Sequence, residues 1–234
     1  MDVIDRHDVA NSADDVLDKQ LKDDSFCHQI DVVLYNMKPV KLDFRDASDA
    51  IYPVSDDSIK DVISKLSKLY KFSAGINLNW MDVSHVTNMY KLFSVVSTIV
   101  LDVDISKWDV SSVTNMGYMF AHKQFNGDIS KWDVSSVRNM SCMFDTCSFN
   151  GNISGWNIRS LKSCQYMFAD SDFNSDISGW DVSHINSMDR MFTGSKMYHD
   201  LSSWDVTNAQ YKYEMFIGTP MQNKLEWYPK GCTS

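Results

Sequence analysis

The chain has 234 residues, 44% of them apolar, and carries a formal net charge of −9. That is enough apolar material for one large or two small domains, and the acidic balance argues against direct binding to nucleic acid or an anionic membrane. No run approaches the ~20 apolar residues that cross a bilayer.

Residues 1–24 hold eight acids against three bases and read as an acidic tail or one short surface helix. The runs 30–35 (IDVVLY) and 39–44 are rich in strand formers and suggest a small hairpin, so residues 1–54 form an acidic, β-rich N-terminal segment. The stretch 55–76 contains a helix. Ser58 is its expected N-cap, with Asp61 three residues later as capping-box partner. Ile59, Val62, Ile63, Leu66, Leu69 and Tyr70 make one apolar face, opposite Lys60, Lys65, Lys68 and Lys71.

From residue 77 to 228 the chain repeats itself. DISKWDVSSVTNM (104–116) returns as DISKWDVSSVRNM (128–140), NISGWNIRSLKSC (152–164), DISGWDVSHINSM (176–188) and DLSSWDVTNAQYK (200–212). An earlier copy surrounds Trp80 and a truncated one Trp227. Trp108, Trp132, Trp156, Trp180 and Trp204 recur every 24 residues. A fixed period of this length signifies stacked supersecondary units rather than an enzyme core.

Within a unit, Ile105, Trp108 and Val110 have the LxxLxL spacing of a short strand. Val113, Met116, Met119 and Phe120 follow at helical spacing and predict a return helix of two or three turns. The columns Phe120, Phe144, Phe168, Phe192, Phe216 and Leu101, Phe125, Phe149, Phe173, Met197, Met221 complete the expected core, with Trp stacked on Trp and Phe on Phe. A large apolar side chain gains roughly 1.5–3 kcal/mol on burial, and here only a neighbouring coil supplies the cover. The expectation is an α/β repeat solenoid, a stack of short parallel strands and short helices advancing about 4.8 Å per coil. Six coils and a partial strand make up the stack, the helix in 55–76 caps its first coil, and 229–234 is a tail. Parallel crossovers are right-handed as a rule.

The phrase FNGDISKWDVSSVRNMSCMFDTCSFNGNISGW resembles the BspA-type leucine-rich repeat. More closely it is similar to the roughly 25-residue surface-protein repeat of Listeria, mycoplasma and lactobacillus surface proteins and lipoproteins. The resemblance implies a leucine-rich-repeat-like, right-handed solenoid used for attachment or protein–protein interaction, and it supplies no catalytic residues.

The N-terminus has no basic start followed by an apolar run, so no signal peptide is visible. Five cysteines, an odd number with no Cys-x-x-Cys, leave at least one thiol free and point to a reducing compartment. Cytoplasmic location is therefore the expectation, with the cell surface as the alternative that the resemblance implies.

The residue after each Trp forms a column, Asp109, Asp133, Asn157, Asp181 and Asp205, with Asp104, Asp128, Asn152, Asp176 and Asp200 as a second. One reading is an acidic recognition face flanked by Lys107 and Lys131. The other is that these side chains accept backbone N–H groups in Asx turns. Small residues at Gly155 and Gly179 would let a partner approach closely. A column of single charges about 4.8 Å apart is sparser than the charge of duplex DNA, one per about 1.7 Å, so DNA mimicry needs further acids. The six histidines are scattered, and no Walker, HExxH, GxSxG or GxGxxG motif occurs. The expected function is a non-enzymatic module that binds a partner protein, with no metal and no cofactor. The alternatives are an intracellular inhibitor or acidic DNA mimic of phage or plasmid type, and a surface adhesin.

Overall fold

Every buried N–H and C=O requires a partner, and here most of them find it one coil away. The computed structural model describes residues 52–70, 72–73 and 75–232. The expected N-terminal tail and hairpin lie outside the described residues.

Parallel bridges run through Asn88, Asn115, Asn139, Ser163, Ser187 and Tyr211, one per coil. Around them stand rows of bonds that all point the same way. The N–H groups of Met116, Tyr118, Phe120 and His122 donate to the carbonyls of Asn139, Ser141, Met143 and Asp145 at 2.9, 2.9, 3.0 and 2.8 Å. The same four-bond row links the next coils.

This leg was expected to be a helix and is not one. Tyr118 and His122 have φ of 58° and 59°, and the left-handed conformation recurs at Cys142, Thr146, Tyr166, Asp170 and Arg190. A left-handed residue breaks a right-handed helix. The chain instead makes overlapping turns, Met119 N–H to the Met116 carbonyl and Ala121 N–H to that of Tyr118. Alternate N–H groups thereby face the following coil. The apolar spacing that suggests a helix fits this turn run equally well. Among the described residues, only the first full coil has a short 3-10 helix in this leg, Leu92–Val95.

The leg bearing the tryptophans also differs from expectation. Ile105, Trp108 and Val110 are not in a strand. Trp108 N–H closes a turn on the Ile105 carbonyl at 3.1 Å, and Val113 N–H closes another on that of Val110 at 2.9 Å. Beyond single bridges, paired strands among the described residues are confined to the first coils. There, β1 (Tyr52–Pro53) pairs with β3 (Met81–Asp82), and β2 (Ile76–Asn77) with β4 (Val103–Asp104), all parallel.

The core is aromatic. Phe93, Phe120, Phe144, Phe168, Phe192 and Phe216 stack with ring centroids 5.4–5.8 Å apart, and Phe125, Phe149 and Phe173 form a second stack at 6.2–6.3 Å. Trp108, Trp132, Trp156, Trp180 and Trp204 are buried, but among the described residues no two of them form a ring pair. Trp108 and Trp132 instead stack against Phe93 and Phe120 at 6.3 and 6.4 Å. Gly127 has a packing reason: a Cβ there would meet the Phe125 ring at 2.8 Å.

The first coil is closed by α1 (Ile59–Leu69), which packs against the 3-10 helix. It buries Ile59, Val62, Ile63 and Leu66. Ser58 is the N-cap residue but makes no capping bond. Its hydroxyl instead accepts the Ser55 N–H at 2.8 Å, and Asp61 pairs with Lys65 at 2.7 Å. The capping work falls to Asp56. Its carboxylate accepts the N–H groups of Thr87 and Asn88 at 2.7 and 3.0 Å and the Thr87 hydroxyl at 2.5 Å. In later coils the carbonyl of the preceding coil fills that role, as Thr87 does for Thr114. At the other end, residues 229–232 are not simply a tail. Val206 N–H donates to the Lys230 carbonyl, and Lys230 N–H to that of Trp204.

Candidate functional site

Asp and Asn have short acceptor side chains that suit turns, and both columns use them in this way. Asp104, Asp128, Asn152, Asp176 and Asp200 each accept the N–H of the serine two residues on, at 2.9–3.0 Å. Asp109, Asp133, Asn157, Asp181 and Asp205 do the same for Ser111, Ser135, Arg159, Ser183 and Thr207, at 3.0–3.3 Å. The two readings of these columns are compatible, because all ten residues remain exposed. Each turn holds its side chain in place, and eight of the ten are carboxylates.

The hydroxyl and then the N–H of the residue two positions on hold Asp133, Asp181 and Asp205 below the usual carboxylate range. At Asp128 and Asp176 the N–H bond acts first and the hydroxyl second. Lys107 and Lys131 are exposed beside the 104-type column, where their charges lower the pKa of Asp104 and Asp128 further. In the 109-type column, Arg159, His184 and Lys230 stand near Asp133, Asp181 and Asp205. The face is therefore mixed, with carboxylates in fixed rows and cations at intervals. Gly155 and Gly179 open onto it, and a Cβ on either would meet nothing within 4 Å.

The tryptophans are core residues with a polar task. Trp108, Trp132, Trp156, Trp180 and Trp204 donate their indole N–H groups to the carbonyls of Leu78, Ile105, Ile129, Ile153 and Ile177 in the preceding coil, at 2.9–3.2 Å. Phe120, Phe144, Phe168, Phe192 and Phe216 are likewise buried, so neither column faces a ligand.

Cys142, Cys147 and Cys164 are buried free thiols, and burial pushes Cys147 up to about 11 and Cys164 to about 12. His184 bonds the Ile158 carbonyl at 2.9 Å. Among the described residues, no three His, Cys, Asp or Glu side chains converge as a metal set, and no helix is long and apolar enough to cross a membrane.

Two features escape the sequence reading. Asp56 lies in a run of polar residues with nothing to mark it as a cap, and the edge of the last coil depends on backbone groups that have no sequence signature.

No curated protein and no solved structure matches the chain. A family model does match, over residues 58–172 and again over 169–226, which includes α1 as well as the repeats. The chain therefore belongs to the family described as Mycoplasma protein of unknown function, DUF285.

Proposed function

We propose that this chain is a non-enzymatic interaction module, a BspA-type, leucine-rich-repeat-like right-handed solenoid that binds a partner protein through its exposed Asp and Asn columns. The observation that carries this reading is the periodic row of exposed carboxylates, each fixed by an Asx turn. Pre-organised side chains lose little entropy on binding, and charges in fixed register favour a partner with complementary cations.

The test is quantitative capture by the wild-type chain and by the triple variant Asp109→Asn, Asp133→Asn, Asp181→Asn. Asn157 shows that an amide keeps the turn, so the variant keeps the fold and loses three charges. Proteins retained by the wild type are expected to be lost from the variant while its circular dichroism spectrum stays that of the folded wild type. An unchanged set of captured proteins overturns the reading.

A further inference from the structure

The last coil is built like its predecessors but meets nothing equivalent among the described residues. One coil earlier, Met188, Arg190 and Phe192 donate their N–H groups to the carbonyls of Tyr211, Tyr213 and Met215 at 2.8, 2.8 and 3.1 Å. The corresponding N–H groups of Lys212, Glu214 and Phe216 have no acceptor among the described residues. Only the fourth member of the row, Gly218 N–H, is satisfied, by the Gln222 side chain at 2.7 Å.

The segment that follows covers the other side of the coil. Leu201 N–H reaches the Trp227 carbonyl at 3.0 Å, and the Lys230 region pairs with Trp204 and Val206. Beside the bare row is a cavity of about 420 Å³, lined in part by Phe216, Ile217, Leu225 and Tyr228. Ile217 is 48% exposed and Leu225 61%.

We propose that this edge docks one polypeptide segment of a partner protein, seated like a further coil. The segment would present its carbonyls to the N–H groups of Lys212, Glu214 and Phe216 and lay apolar side chains over Ile217 and Leu225. The occupant follows from the polarity of the ladder. Each coil sends this row of N–H groups to carbonyls of the next, so the free edge requires a row of acceptors and continues an interface used throughout the stack. A second copy of this chain does not supply it end to end. Its own last coil offers N–H groups against N–H groups, and its first coil is covered by α1, which packs against the 3-10 helix Leu92–Val95. A small anion bonds one or two donors in such a backbone concavity, whereas a run of carbonyls in the same turn conformation meets all three.

This proposal rests on the reading of the chain as a protein-binding stack but uses a different surface from the Asp columns. The probe is a synthetic peptide of residues 187–199, whose Ser187, Asp189, Met191 and Thr193 carbonyls accept from the preceding coil within the stack. Added to the full chain, it is expected to bind saturably and to slow amide exchange at Lys212, Glu214 and Phe216 severalfold. Ile217→Asp and Leu225→Asp, both at exposed positions, should abolish binding without lowering thermal stability, whereas Val95→Asp, also exposed, should leave it intact. The triple Asp→Asn variant should bind the peptide normally, so failure of the acidic-face reading and failure of this one are separately visible. The proposal is overturned if the peptide does not bind, if the three amides exchange at an unchanged rate, if Ile217→Asp still binds, or if sodium acetate protects the same amides equally.

Discussion

The indole N–H of Trp132 donates to the carbonyl of Ile105, one coil back, at 3.1 Å inside the core. The bond explains why a tryptophan, and not simply a large apolar residue, recurs in each coil. The Ile105 carbonyl also closes the turn to Trp108 N–H, and the indole satisfies its remaining acceptor capacity while filling space beside Phe120.

Replacing Trp132 with Phe keeps much of the apolar bulk but leaves that carbonyl short of a donor, at an expected cost of about 1–3 kcal/mol. Trp132→Ala adds a cavity and should cost about 3–5 kcal/mol. Urea denaturation of both variants measures the difference. Trp80→Phe is the control: Trp80 is half-buried, and its N–H bonds the Asn77 carbonyl within its own coil, so its effect should be smaller. Equal losses at Trp80 and Trp132 would contradict the stitching role.

Asp56→Ala should open the front of the ladder. It removes the acceptor for two N–H groups and a hydroxyl, and hydrogen bonds to a charged group are worth about 1.5–3 kcal/mol each. The readout is faster amide exchange at Thr87 and Asn88, with little change at Arg138 or Lys162, whose acceptors are carbonyls of the preceding coil. Asp56→Asn should retain most of the protection.

Acid should destabilise the stack. Asp82, Asp128, Asp133, Asp176, Asp181, Asp200 and Asp205 have folded pKa values below their ordinary 3.8. A carboxyl with a depressed folded pKa binds its proton more readily when unfolded. Its contribution is therefore present above pH 3.8 and is lost as pH falls below that value through the folded pKa. Urea midpoints measured from pH 7 down to pH 2 should fall in this window, and the Asp133→Asn, Asp181→Asn double variant should show a shallower acid limb. A midpoint independent of pH across this range would contradict the role given to the Asx turns.

The thiols should react in order of access. Cys232 is half-buried, whereas Cys142, Cys147 and Cys164 are buried, and the thiolate is the reactive form. In a Cys27→Ser background, which removes the one cysteine outside the described residues, a thiol reagent at pH 8 should modify Cys232 first and the other three only on unfolding. Rapid modification of Cys147 in the folded chain would be inconsistent with a pKa near 11.

The period, the membership of the core columns and the face of α1 are legible in the sequence because they depend on which residues are apolar and how far apart they lie. The Asx turns are legible too, since DVSS and DISK each place an acceptor two residues before a serine N–H. The conformation of each leg is not. Val113, Met116, Met119 and Phe120 suit an α-helix and a run of turns equally, and only the left-handed φ at Tyr118 and His122 separates the two. Neither tyrosine nor histidine announces that geometry as a glycine would.

The sequence by itself determined that the chain is a stack of 24-residue units with an aromatic core, because periodicity and hydrophobicity are properties of the residues. Only the tertiary structure decided the direction of the hydrogen bonds. Whether an N–H turns back along its own coil or forward to the next depends on backbone angles that neighbouring coils stabilise together. The cap at Asp56, the indole stitches and the edge at Lys212, Glu214 and Phe216, whose N–H groups have no acceptor among the described residues, all follow from that direction.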